Sequence, residues 1–125
     1  MLNIILVAVG GAAGSVLRYG VGVLAGRWLG FGFPFGTLFV NVTGSFLMGV
    51  LVEVLARRAG VSNELRLLLA TGLLGGYTTF SSFSLDVAFL WERGQAAAAL
   101  LYISCTLIAG LLSMAAGIWL VRSLA

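Results

Sequence analysis

Gly72-Leu-Leu-Gly75-Gly76-Tyr77-Thr78-Thr79-Phe80-Ser81-Ser82-Phe83-Ser84 lies in the middle of an apolar run, Leu65–Leu90, and its reading decides the fold. Two adjacent glycines followed by hydroxyl residues propagate a helix poorly. The run around them is nonetheless long enough to cross a bilayer core of about 30 Å. Unwound backbone at that depth survives only inside protein or against water. The stretch therefore predicts a transmembrane helix broken in its middle by Gly75–Ser84. Carbonyls freed there suit a cation, and a half-helix N-terminus suits an anion. Phe80 and Phe83, three apart, share one helix face, and the positive edge of an aromatic ring can meet an anion without binding it tightly. A Gly-Gly pair alone would read as a kink with two lipid-facing phenylalanines. The six hydroxyl residues from Tyr77 to Ser84 inclusive shift the reading towards a site.

Composition extends the membrane reading to the whole chain. Hydrophobic residues make up 61% and charged residues 9%, against roughly 25% charged in a soluble domain. Three further apolar runs accompany the third: Leu2–Arg27, Thr37–Leu55 and Ala96–Val121. All are too long and continuous for barrel strands of about 10 residues. The expected fold is an all-α membrane protein with four transmembrane helices, the third broken mid-membrane, and residues 1–125 form one domain. Trp28, Trp91 and Trp119 fall near span ends, where amphipathic rings favour the interface. Ser62 or Asn63 can cap the third helix. No cleaved targeting segment is expected, because the N-terminus lacks a basic start.

The net charge of +3 comes from seven arginines and four acids. The arginines are scattered, mostly at span ends, so they read as interface anchors and nucleic acid is not expected as a partner. Arg57, Arg58, Arg66 and Arg122 share one side of the membrane, with Arg27 and Arg93 on the other. This bias is slight and fits either termini inside or insertion in both orientations.

Enzymatic chemistry has little to work with. There is no histidine, which removes the commonest general base and metal ligand. Cys105 has no partner for nucleophilic or metal chemistry. Ser81, Ser82 and Ser84 have no base to activate them. Glu53 and Arg57 have ordinary helical ion-pair spacing. Only Asp86 lies well inside a span. No glycine-rich segment follows a strand or precedes a lysine, so phosphate-loop readings fail.

Polar residues within the spans are functional hypotheses by default. Arg18 lies eight residues before Gly26, hence about 12 Å deep, where it anchors an aqueous vestibule or snorkels to the interface. Thr37, Asn41 and Ser45, spaced by four, form a polar stripe on the second span. Such a stripe either glues helices or lines a path, and spacing alone does not choose. Tyr102, Thr106 and Ser113 share a face of the fourth span, where hydroxyls most often serve packing. Gly10 and Gly14, Gly22 and Gly26, and Ser45 and Gly49 recur at the four-residue spacing of close-packed membrane helices. Helices packed that tightly leave little room for a pore within one subunit, so transport would need an oligomer.

Three blocks resemble the Fluc (CrcB) family of fluoride channels: Gly10-Gly11-xx-Gly14-xxx-Arg18, Gly36-Thr37-Leu38-xx-Asn41-xx-Gly44, and Thr71-Gly72-xx-Gly75-Gly76-x-Thr78-Thr79-Phe80-Ser81-Ser82-Phe83-Ser84. The resemblance covers nearly the whole chain, and the last block is highly specific. It implies an antiparallel, dual-topology homodimer in the cell (inner) membrane, surrounded by lipid, with two pores that export fluoride passively. It implies a central structural Na⁺ held by the carbonyls of Gly75 and Thr78 of both subunits. Phe80, Phe83 and Asn41 would line the pore, with Thr37, Thr79, Ser81, Ser84, Tyr102 and Thr106 contributing hydroxyls and Arg18 near the vestibule. The fourth helix fits only in part, since Gly110 and Met114 stand where further hydroxyls are expected. A small dual-topology multidrug antiporter has similar length, but it needs a membrane-embedded acid in its first helix, where this chain carries Arg18. A non-conducting membrane assembly subunit would need the small-residue faces but not the polar stripe.

Overall fold

The computed structural model describes residues 1–124, which are helical apart from short joints and contain no strand. Helix α1 runs Leu2–Leu29 and α2 runs Phe35–Arg57. The third span begins with a short helix α3, Asn63–Arg66, continues as a π-helix, Leu67–Leu74, and ends its first half as α4, Gly75–Tyr77. Its second half is α5, Phe80–Glu92, and α6 runs Ala96–Leu124. Three of these, α1, α2 and α6, are individually long and apolar enough to cross a membrane. The fourth crossing is shared between the two halves of the broken span, so the chain is a multi-pass membrane protein.

Ser62 caps α3, its hydroxyl accepting from the Leu65 N–H at 3.2 Å, as one of the two expected residues. The break, however, is much shorter than Gly75–Ser84. Gly75 keeps helical angles (φ −62°, ψ −39°), and Phe80–Ser84 are already in α5. Only Thr78 (φ −86°, ψ 158°) and Thr79 (φ −155°, ψ 123°) are extended. The glycines have another job. Along α1, Gly10 and Gly14 let the backbone of the third span's first half lie directly against the helix. A Cβ at Gly14 would run into the Leu73 carbonyl oxygen and lie 2.7 Å from the Tyr77 nitrogen. On the facing side, a Cβ at Gly76 would lie 2.6 Å from the Gly11 carbonyl oxygen. These are backbone atoms, which cannot rotate away. Gly14→Val should therefore destabilise the purified protein in detergent by at least the ~1–3 kcal/mol typical of overpacking. A thermal melt indistinguishable from wild type would show that the two backbones separate easily.

The bundle is thus two tight pairs. α1 packs on the π-helix and α4, and α2 packs on α6, with α5 laid against α6. At one end of the second pair, Glu53 Oε1 accepts from both Arg57 Nε at 3.1 Å and Arg122 Nε at 3.0 Å. The first contact is the expected i,i+4 pair. The second ties the C-terminal ends of α2 and α6 together, in agreement with Arg57 and Arg122 lying on the same side of the membrane. Most large apolar side chains of α1 and α6 point outward, as lipid-facing residues should. The one aromatic core gathers at the α5–α6 contact: Phe83, Leu90, Ala99 and Tyr102 are buried together, with Phe33 from the α1–α2 joint packed on them.

Candidate functional site

The extended pair Thr78–Thr79 is held open by three side chains. Asn41, from the middle of α2, donates from Nδ2 to the Thr79 carbonyl at 2.9 Å and accepts the Thr79 N–H on Oδ1 at 2.8 Å. Its amide pairs with the Thr79 backbone as a neighbouring strand would. The Thr79 hydroxyl then accepts the Ser82 N–H at 3.1 Å and caps α5, as Thr is suited to do. Arg18 donates from Nε to the Gly76 carbonyl at 3.1 Å, placing a cation at the C-terminal end of the first half-helix, where the helix dipole favours positive charge.

These bonds redirect donors away from the carbonyls that a continuous helix would use. The Thr79 N–H would ordinarily go to Gly75, and the Ser82 N–H to Thr78. Both go to side chains instead. Gly75 and Thr78 therefore keep carbonyl oxygens without their usual helical partners. The Thr78 hydroxyl, by contrast, is engaged with the Leu74 carbonyl at 3.0 Å.

A groove of about 270 Å³ opens beside the break, lined by Asn41, Thr78, Thr79, Phe80, Phe83 and Thr106, with Ser45, Gly110 and Met114 along its continuation. Phe83 is buried and Phe80 is 76% exposed; their ring centroids lie 5.6 Å apart at 50°. Thr106 Oγ1 is buried and has no hydrogen-bond partner among the described residues. A buried unpaired hydroxyl is rare and costs about 1–3 kcal/mol, which makes Thr106 a candidate site residue beside the groove.

The remaining expected residues fall around the groove rather than in it. Tyr102 is fully buried and donates to Asp86 Oδ2 at 3.0 Å, which gives the one deep carboxylate a partner. Its ring packs between Phe83 at 5.2 Å and Phe33 at 5.5 Å. Thr37 stands one helical turn from Asn41 towards the start of α2, half-buried. Ser84 is exposed and donates its proton to the Phe80 carbonyl at 3.0 Å, while the Ser81 hydroxyl lies 3.3 Å from that of Thr79. Ser113 does not line the groove. Ser45 joins the groove from the Asn41 stripe, although it was not among the residues expected to line the pore. Only the α1–α2 turn brings Phe33 onto Tyr102, and nothing local to the sequence foretells it.

Comparison with known proteins identifies the family. Residues 5–118 match the family described as CrcB-like protein, Camphor Resistance (CrcB). The chain is 56% identical over 124 residues to a fluoride-specific ion channel FluC of Chelativorans sp. (strain BNC1), covering 99% of both chains. It is 55% identical over 124 residues to the protein of that name from Agrobacterium fabrum, again covering 99% of both. It is 54% identical over 125 residues to that of Rhizobium johnstonii, covering 100% of both. With a match of this extent, and with relatives aligned from end to end, the chain belongs to the CrcB family.

Proposed function

We propose that this protein is a fluoride channel, passively exporting the ion across the cell (inner) membrane as an antiparallel homodimer with two pores. It is not an enzyme; its relatives are named as channels. The observation that carries the reading is the groove beside the break. Its lining combines the Asn41 amide, the unpaired Thr106 hydroxyl and the rings of Phe80 and Phe83, and it contains no charged side chain. Fluoride is small and strongly hydrated, and a conducting path must replace that hydration piecemeal while binding loosely enough to release the ion. Hydroxyl and amide N–H groups donate hydrogen bonds, and ring edges add weak positive potential. After its bond to Thr79, the Asn41 amide nitrogen retains a second N–H for such a purpose.

The position of the groove supports assembly into a dimer. It is open on the side of a single subunit, and unpaired polar groups in hydrocarbon are unfavourable by several kcal/mol each. A second copy would close it and turn it into a pore, and two-fold symmetry makes two such pores. The slight arginine bias is compatible with insertion in both orientations. Arg18, as an intramembrane cation, would raise local anion concentration at the pore entrance.

The carbonyls of Gly75 and Thr78, freed from helical bonding, fit the central Na⁺ that the family resemblance implies. Neutral carbonyl oxygens suit a hard cation, and Gly75 is exposed at the break, where a partner's carbonyls could join it. When bound, the ion would supply a fixed positive charge tying the two breaks together. Arg18 on Gly76, Asn41 on Thr79 and Thr79 on Ser82 orient the backbone that presents those oxygens.

Purified protein in liposomes should release fluoride passively, in response to voltage, without a proton gradient. Chloride moving as readily as fluoride would overturn the selectivity, and strict dependence on a proton gradient would point to a carrier.

A further inference from the structure

Resting on the fluoride-channel reading, we infer that Ser45 of α2 supplies the hydroxyl that α6 lacks at Gly110, so that the ion path crosses from α6 to α2 one helical turn beyond Thr106. Four residues separate Thr106 from Gly110 on α6, and four separate Asn41 from Ser45 on α2. All four line the same groove. On α6 the hydroxyl series stops: Gly110 has no side chain, and Met114 offers only a thioether, a weak acceptor with no proton to donate.

The missing side chain is what brings Ser45 into play. A Cβ at Gly110 would have Ser45 Oγ, at 3.9 Å, as its only neighbour within 4 Å. The space in front of Ser45 is therefore the space a residue 110 side chain would fill. The hydroxyl is also free. Thr43, Thr78 and Ser84 each donate to the carbonyl four residues back, at 2.7, 3.0 and 3.0 Å, which is the usual resting place for hydroxyls in helices. Ser45 makes no such bond to Asn41, and no other side-chain hydrogen bond among the described residues involves it. Thr106 and Ser45 thus lie at successive levels of one groove, and neither hydroxyl is engaged in a hydrogen bond. A helix-gluing role through a hydrogen bond would require the bond that is missing, and a role through small size alone is read by Ser45→Ala, which keeps the packing and removes the hydroxyl.

The test is fluoride efflux from liposomes for wild type, Ser45→Ala, Ser45→Ala/Gly110→Ser and Ser45→Cys, each checked for dimer recovery by size exclusion. Ser45→Ala should slow efflux by about tenfold, and adding Gly110→Ser should return it to within about threefold of wild type, since 1.36 kcal/mol of barrier is a factor of ten. Ser45→Cys, close in shape but a weak donor, should fall between wild type and Ser45→Ala, and it reads the same step if the alanine variant fails to assemble. Wild-type efflux from Ser45→Ala, or from Ser45→Cys where the alanine variant is lost, would overturn the inference, as would a Gly110→Ser change that restores nothing. If wild type itself releases no fluoride, the channel reading fails and this inference fails with it.

Discussion

Asn41→Ala is expected to abolish measurable fluoride efflux and to lower the thermal stability of the purified protein. The Asn41 amide makes both hydrogen bonds to the Thr79 backbone, at 2.9 and 2.8 Å. Alanine leaves a half-buried N–H and a half-buried C=O without partners at mid-membrane depth. Each unsatisfied group costs about 1–3 kcal/mol. The chain has one local remedy, which is to return the Thr79 N–H to Gly75 and let the helix run on. That repair would consume a freed carbonyl and turn Thr78, Thr79 and Phe80 away from their present positions. Loss of flux and loss of stability should therefore appear together. Asn41→Asp discriminates further. A carboxylate keeps an acceptor for the Thr79 N–H but has no donor for the Thr79 carbonyl, and its charge would repel an entering anion. It should conduct no better than the alanine variant. If Asn41→Ala conducts near the wild-type rate with an unchanged melting temperature, the break is held by something other than this amide.

The two bonds also explain why the break was only partly legible in the sequence. Its existence was readable from Gly75-Gly76 and the hydroxyl run, because their helix propensity is poor wherever they sit. Its position was not. Gly76 remains helical with Gly11 of α1 against it, and its missing side chain makes that approach possible; Gly75 is helical too, but exposed. Thr78–Thr79 opens because an amide 38 residues earlier competes for the backbone. No local pattern encodes such a partner. The π-helix at Leu67–Leu74 was invisible for a similar reason, since its backbone runs against Gly10 of α1. The four spans were clear because hydrophobic length depends on composition alone. Glu53–Arg57 was clear from spacing, while Arg122 on the same carboxylate required the α2–α6 pairing. Arg18 was readable as an unusual intramembrane cation, but its bond to the Gly76 carbonyl was not. Among candidate site residues, Asn41, Thr79, Phe80, Phe83 and Thr106 converge on one groove, and Thr37, Ser81 and Ser84 lie beside it.

Phe83→Ile should reduce fluoride efflux by at least about a hundredfold, a barrier change of roughly 2.7 kcal/mol, while the protein stays folded. The substitution separates the ring's two contributions. As an apolar filler, Phe83 is buried against Tyr102 with centroids 5.2 Å apart, and an aromatic pair of this kind contributes about 0.5–1.5 kcal/mol beyond area burial. Isoleucine keeps much of the volume, and hydrophobic swaps of similar size are tolerated in cores. Folding should therefore suffer modestly. What isoleucine cannot supply is a ring edge. Phe80 and Phe83 face the same groove with tilted planes, and with no charged side chain in the lining, a partly dehydrated anion has few other sources of positive potential there. Phe80, largely exposed on one subunit, should be less coupled to the core, so Phe80→Ile should spare stability still further while also slowing efflux. Wild-type flux from Phe83→Ile would mean that the rings only shape the passage, leaving hydroxyl and amide donors to carry the ion. A large loss of stability with Phe83→Ile, matched by the loss of flux, would instead assign Phe83 to the Tyr102 core. The combination that supports the ring-edge role is a stably folded protein with little or no flux.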